Sequence, residues 1–266
     1  MQARNFTLSR YLERIGHDGP VAPDIATVAA LMRRQLFTVP FENLDVQAGL
    51  GVSLVPEDIV DKILERGRGG YCYEVNGLFA MALQALGIPY RYVAARPMFY
   101  PVKRPRTHMA LVVHASGADW LCDLGFGSYG IRAPLALADL DREVRQDMDR
   151  FMLSRTENGD FLLKAWAGGQ WQNQYGFDLS PQEWIDFAPA NYLNSTHPDA
   201  IFVQKRVVVL HAETGRSILL GNALKVVGAD SVEESTLDEA GVTEALQGRF
   251  GLAVAAPASS DKMKQP

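Results

Sequence analysis

Apolar residues recur at helical spacing through the first third of the chain. Leu8 to Ile15 reads as one short helix. Asp24 can cap a second, in which Ile25, Val28, Leu31 and Met32 share a face. Pro56 suits the first turn of a third, which Gly67 closes. A fourth starts near Cys72, carries Val75, Leu78, Phe79, Ala82, Leu83 and Leu86, and ends at Gly87 and Pro89. The pattern then changes. Residues 90–99, 107–114 and 120–124 are short runs rich in β-branched and aromatic residues, as strands are. Residues 150–156 and 161–166 flank Asn158-Gly159, a strong hairpin signal. A helical stretch returns over 181–194. Residues 202–212 and 217–228 read as two strands of a second hairpin joined across Glu213 to Arg216, and 236–250 as a last helix.

Helices, then strands, then a mixed end make an α+β chain, not an alternating βαβ one. Nothing resembles GxGxxG after a strand or a Walker P-loop. The 266 residues are 47% hydrophobic and 21% charged, which is ordinary globular composition. A net charge of -5 argues against a nucleic-acid binder, although a local basic patch can still hold a small anion. No apolar run is long enough to cross a bilayer, and the N-terminus lacks a continuous apolar stretch. A cytoplasmic location is therefore expected. There, two cysteines without a CxxC pair argue against both a disulfide and a structural zinc.

Cys72 sits where Gly69 and Gly70 meet a helix. The glycines are expected to turn the chain sharply and leave the thiol uncrowded. The helix N-terminus favours thiolate, the nucleophilic form. Arg68 and Glu74 are placed to pair and fix the loop. A free cysteine by itself is more often a small buried hydrophobe, so a partner is needed. Taking 107–114 and 119–124 as a hairpin with Ala115 to Ala118 as its loop, His114 faces Asp119 and Ala110 faces Asp123. His108 then becomes a diagonal, same-face neighbour of Asp123. That face carries His108, Ala110, Val112, His114, Asp119, Leu121 and Asp123; the other is almost wholly apolar and carries Cys122. A one-residue slip would bury Asp123 among apolar groups. Asp123 would fix the tautomer of His108, and the other ring nitrogen would serve Cys72. His17, His114, His197 and His211 lie at turns or segment ends and read as structural.

Residues 68–79, Arg-Gly-Gly-Tyr-Cys-Tyr-Glu and on through Asn76-Gly77-Leu78-Phe79, resemble the signature around the catalytic cysteine of the arylamine N-acetyltransferases. Val39 to Leu44, Thr107-His108-Met109, Asp123 to Gly127 and Ser195 to Pro198 resemble further blocks of that family. The resemblance implies an N-terminal helical bundle, a central β-barrel-like domain and a C-terminal α/β lid, with a cysteine-protease and transglutaminase-like core. The corresponding segments are 1–88, 89–190 and 191–255, with 256–266 as a disordered tail. It implies a Cys72–His108–Asp123 triad and ping-pong transfer from acetyl-CoA, a cosubstrate rather than a bound cofactor, to an arylamine or arylhydrazine. It further implies Thr107 and Gly127 near the CoA arm, and Phe126, Tyr71 and Phe37 around the acceptor pocket. Tyr73 and Cys122 depart slightly from the common pattern. From the residues themselves, Lys103, Arg104 and Arg106 form a cationic run beside the histidine, available either to phosphates or to solvent. An amide synthase or cysteine amidase could use the same triad, and a non-enzymatic CoA-binding or redox-thiol protein is the remaining alternative.

Overall fold

The computed structural model describes residues 1–127 and 129–253; the tail read as disordered lies outside the described residues. The helices form where the pattern puts them. Helix α1 (Leu8–Arg14) is capped by the Thr7 side chain and α2 (Ile25–Thr38) by Asp24, which accepts from the Thr27 N–H at 2.8 Å. Strand β1 (Phe41–Glu42) and helix α3 (Leu44–Gln47) precede α4 (Pro56–Val60), whose last turns widen into a π-helical stretch, Asp61–Glu65. Helix α5 (Cys72–Ala85) is buried on nearly every side, because it runs through the middle of the core between the other helices and the first sheet.

That sheet has eight antiparallel strands in a barrel-like wrap. In chain order they are β2 (Tyr90–Pro97), β3 (His108–Ala115), β4 (Ala118–Cys122), β5 (Leu135–Ala136), β6 (Glu143–Gln146), β7 (Asp149–Arg155), β8 (Phe161–Ala167) and β9 (Gln170–Phe177), and in space β5-β4-β3-β2-β9-β8-β7-β6. A 3₁₀ turn (Trp184–Phe187) leads into α6 (Ala188–Thr196) and α7 (Ile201–Gln204). The second sheet is β1-β10-β11-β12-β13, with β10 (Val207–Ala212), β11 (Gly215–Leu220), β12 (Ala223–Gly228) and β13 (Val232–Thr236). Helix α8 (Glu239–Gly248), capped by Asp238, covers it. The α+β order stands. The C-terminal sheet takes its first strand from residues 41–42, far upstream in the chain.

Several boundaries differ from the sequence pattern. The run 217–228 is two strands, because Gly221 at φ +62° turns the chain back. Residues 201–204 are helix, not the start of a strand, and Thr236 ends a strand rather than beginning the last helix. Strand β9, Gln-Trp-Gln-Asn-Gln-Tyr-Gly-Phe, carries too many weak strand formers to stand out. The β3–β4 loop is two residues, not four. Ala115 pairs with Ala118, and Ser116 and Gly117, both at positive φ, make the tight turn.

Beneath the start of α5 lies a buried cluster of charges. Lys62 Nζ, on the π-helical stretch, is 2.7 Å from both Asp45 and Glu74 and 3.9 Å from Glu42. Arg68 Nη2 is 2.8 Å from Glu42 and 3.0 Å from Asp45. The expected Arg68–Glu74 pair therefore does not form: Arg68 turns back to β1 and α3, and Glu74 is taken by Lys62. Burial pushes the Glu74 carboxyl up, to about 7, against the pull of Lys62. Burial opposes the charge on Lys62 as well, yet the three carboxylates around it hold its pKa above normal. Removing this lysine would strand buried acids. Lys62→Met is expected to cost about 3–5 kcal/mol of stability, read as a lowered midpoint in urea unfolding at pH 7.5. A midpoint within error of the parent would contradict the role given to this cluster.

Candidate active site

Cys72 is the first residue of α5, and its surroundings explain the glycines around it. A Cβ on Gly69 would lie 1.9 Å from the Pro40 carbonyl oxygen, and one on Gly70 2.6 Å from the Glu74 side chain. Neither glycine has positive φ. They are needed for close packing rather than for a left-handed turn, which corrects the reading from sequence. On the far side, a Cβ on Gly125 would lie 2.5 Å from the Cys72 Cα. The cysteine is thus gripped between the loop before α5 and the loop after β4. It is only 3% exposed.

His108 opens β3 and Asp123 follows β4. The pairs Leu111–Cys122 and His114–Asp119 give the register read from sequence. Both faces of β3 are nonetheless covered, Ala110 and Val112 included, so the polar and apolar faces differ less in burial than the alternation suggests. The His108 Nε2 to Asp123 Oδ2 distance is 2.7 Å. Asp123 Oδ1 accepts from the Gly125 N–H at 2.9 Å and from Asn76 Nδ2 at 3.1 Å. Burial alone would raise the Asp123 pKa; His108 and these two donors outweigh it and hold it below normal. For His108, burial disfavours the charged ring, but the charge and hydrogen bond of Asp123, followed by those of Cys72, lift its pKa to about 10. Nδ1 is left as the ring nitrogen available to the sulfur.

Cys72 and His108 open onto one cavity of about 220 Å³, walled by Phe99, Phe126, Asn194 and Phe202. Phe126 lies 5.1 Å from the His108 ring and 4.8 Å from that of Tyr175. Thr107 lines the cavity, its carbonyl held by Tyr73 Oη and Asn194 Nδ2. Tyr71 and Phe37 do not line it. Tyr71 is fully buried, packed edge-on against Tyr73 and Phe202, with its hydroxyl donated to Asn191. Phe37 lies half-buried under the Arg33 guanidinium. Gly127 does not line the main cavity either: its carbonyl is taken by His211. The basic run divides. Arg104 faces the cavity, stacked on Tyr100, whereas Lys103 and Arg106 face a neighbouring one of about 290 Å³. Arg106 also pairs with Asp178 at 2.6 Å. Cys122 is fully buried, where burial pushes its thiol far up. His197 closes α6 and reaches the cavity rim.

Sequence reasoning missed Asn76 and Tyr175. Asn76 lies one helical turn after Cys72, on the same face of α5. It bridges Asp123, the Met109 carbonyl and, through Oδ1, the Leu124 N–H. A polar residue on that apolar stripe was the available signal. Tyr175 sits in β9 with its ring 4.9 Å from that of His108, and nothing in its local sequence marks it.

A family model described as N-acetyltransferase matches residues 24–259. An arylamine N-acetyltransferase of Mycolicibacterium smegmatis is 34% identical over 255 residues, covering 92% of this chain and 91% of the relative. The chain belongs to the arylamine N-acetyltransferase family. It is by that membership an acetyltransferase. Solved members of the family share its fold. The structure from Mycobacterium tuberculosis superposes with a TM-score of 0.89 at 33% identity, over 92% of this chain and 94% of that one. The structure of the Mycobacterium marinum enzyme in complex with CoA does so with a TM-score of 0.87 at 30% identity, over 92% and 93%.

Two outcomes follow from this geometry. Gly125→Ala forces its new methyl against the backbone of Cys72, and displacing reacting groups by about 1 Å can cost about 100-fold in rate. Acetyl transfer should fall by about that factor while the protein stays folded by circular dichroism. An unchanged rate would show that the close packing of Gly125 on Cys72 does not set the position of the sulfur. The second concerns pH. The folded pKa of His108 lies above its ordinary 6.5, so its share of stability is fully present below pH 6.5 and is lost on rising to about 10. Asp123 is shifted down from 3.8, so its share is present above that value and lost as pH falls below it. The stability gap between the parent and His108→Gln should therefore be widest from about pH 4 to 6.5 and shrink steadily toward pH 10, as measured by denaturant unfolding. A gap that grows with pH would reverse the assigned sign.

Proposed function

We propose that Cys72, His108 and Asp123 act as a triad carrying acetyl groups from acetyl-CoA to aromatic amines or hydrazines in two half-reactions. The observation that carries this reading is the buried line from carboxylate to imidazole to sulfur, with Cys72 and His108 both on the wall of one cavity. Asp123 fixes the ring and its charge. His108 already holds the proton given up by the thiol, as the imidazolium of a thiolate–imidazolium pair, and the Cys72 sulfur attacks the thioester carbonyl. First-turn N–H groups of α5 are the nearest donors for the oxyanion. The tetrahedral intermediate collapses, the bond from carbonyl carbon to CoA sulfur breaks, and CoA leaves with the proton from His108. The amine nitrogen then attacks the carbonyl of acetyl-Cys72 and gives a proton to His108; the bond from the acetyl carbon to the Cys72 sulfur breaks, the N-acetylated amine leaves, and the Cys72–His108 pair is regenerated.

Aromatic amines are the fitting acceptors because Phe41, Phe99, Tyr100, Phe126 and Phe202 line the cavity, with Phe126 against the His108 ring. The relatives, named as arylamine N-acetyltransferases, point the same way. Thr107, on the cavity wall, is the residue we place nearest the CoA arm. Arg104 at the cavity, with Lys103 and Arg106 beside it, offers positive charge for the CoA phosphates. Among the described residues, no helix is long and apolar enough to cross a membrane. A cytoplasmic setting, where acetyl-CoA is available and thiols stay reduced, suits the two free cysteines.

Incubation with acetyl-CoA alone should leave one acetyl increment on the peptide carrying Cys72 and release one equivalent of CoA. Adding an aromatic amine should then discharge it. Cys72→Ala should show neither. Full turnover by Cys72→Ala, or acyl transfer with no labelled intermediate, would end this proposal.

A further inference from the structure

The C-terminal sheet reaches the loop after β4 through Arg216, whose guanidinium lies 4.7 Å from the centre of the Tyr129 ring, and through His211. His211, near the end of β10, is 4% exposed, and its Nε2 lies 2.9 Å from the Gly127 carbonyl oxygen. A carbonyl only accepts, so the ring proton sits on Nε2. His211 Nδ1 then holds a lone pair, with no hydrogen-bond partner among the described residues. Across the β10–β11 pair His211 faces Arg216. Arg216 shares Asp149 with the fully buried Arg132, whose other nitrogens bond the Ala212 and Gly215 carbonyls at 2.6 and 3.0 Å. Burial first, then Arg132 and more weakly Arg216, push the His211 pKa down to about 4 against the opposing pull of the Gly127 hydrogen bond and Asp149, so the ring is neutral at pH 7. The imidazole is thus fixed in position by the C-terminal sheet and fixed in tautomer by its acceptor.

What it holds matters. Gly127 has φ +89° and directly follows Phe126. Only a small void, bordered by Asp123, Phe126, Gly127 and His211, lies behind the loop. No other side chain among the described residues hydrogen-bonds the Gly127 carbonyl. We propose that His211 is a positioning residue for the acceptor: by tethering Gly127 it sets the Phe126 ring against His108 and so shapes the aromatic wall of the pocket. The proposal rests on the acyl-transfer reading above. It concerns the second half-reaction, since the sulfur, His108 and Asp123 keep their own contacts without it.

The test separates the two halves. Acetyl-Cys72 is formed first, and its discharge is followed against the concentration of 4-chloroaniline. His211→Gln keeps an N–H donor at the reach of Nε2; His211→Asn keeps polarity but is too short; His211→Leu removes both. Loss of one hydrogen bond corresponds to about tenfold at most. In the Asn and Leu variants the half-saturating aniline concentration should rise by about that factor. Acetylation of Cys72 by acetyl-CoA should change by less than about threefold, and His211→Gln should return both toward the parent. If the Leu variant does not fold, the Asn and Gln pair carries the comparison. Equal behaviour of Asn and Gln, or acetylation falling in step with discharge, overturns the proposal and leaves His211 a purely structural residue. Failure of the parent itself to discharge to any aromatic amine would instead strike the acyl-transfer reading, and is seen without any variant.

Discussion

A carboxylate with no exposure to water must be compensated by its neighbours, and the candidate active site is organised by how Asp123 is compensated. Its two oxygens accept from three donors on separate elements: the ring of His108 on β3, the amide of Asn76 on α5, and the N–H of Gly125 in its own loop. Each bond is stronger for being charge-assisted and dry. Together they tie the helix that carries the sulfur to the sheet that carries the base. Moving either element would leave a buried charge short of a partner, which is costly. The distance between nucleophile and base is therefore set by the solvation of a third group.

The same logic operates on the other side of Cys72. Lys62 and Arg68 face three carboxylates in a buried cluster below the loop that enters α5. Glu74 serves twice, binding Lys62 and accepting the Tyr71 N–H, so the first turn of the helix is held by a side chain from its own third position. The glycines make this possible by letting backbones approach within distances that any Cβ would forbid. Positive φ has no part in it.

The placing of Cys72, His108 and Asp123 was legible because it depends on short-range regularities. Helical periodicity places Cys72 at a helix start, and strand parity places His108 diagonally from Asp123; both survive a misjudged loop length, since the register is the same whether Ala115 and Ala118 pair or not. The surroundings were less legible, because they depend on contacts between residues far apart in sequence. Tyr71 sits one residue before Cys72 yet points away from the cavity to meet Asn191, 120 residues on. Lys103, Arg104 and Arg106 are neighbours in sequence but divide between two cavities, since the segment carrying them is the wall between. Strand β9 hid behind glutamines and an asparagine although it supplies Tyr175. Sequence neighbours share a face only where secondary structure is regular, and most of the pocket lining is not.

Strand β1 links the two halves of the molecule. Phe41 pairs with Val209 of the C-terminal sheet and bridges Gly70 on its other side, where the Glu42 N–H also bonds the Gly70 carbonyl at 3.0 Å. The same phenylalanine lines the cavity. A C-terminal region that swung open as a hinged lid would have to break this pairing and would drag the loop before Cys72 with it. Arg132 adds a second fastening at the far edge, buried between the β6–β7 hairpin and the β10–β11 turn. The C-terminal sheet is thus built as a fixed wall of the pocket, and access to the sulfur falls to the remaining opening, between the stretch of 97–105 and that of 193–202. What enters the cavity must pass those two segments, and what has entered then meets the Phe126 wall.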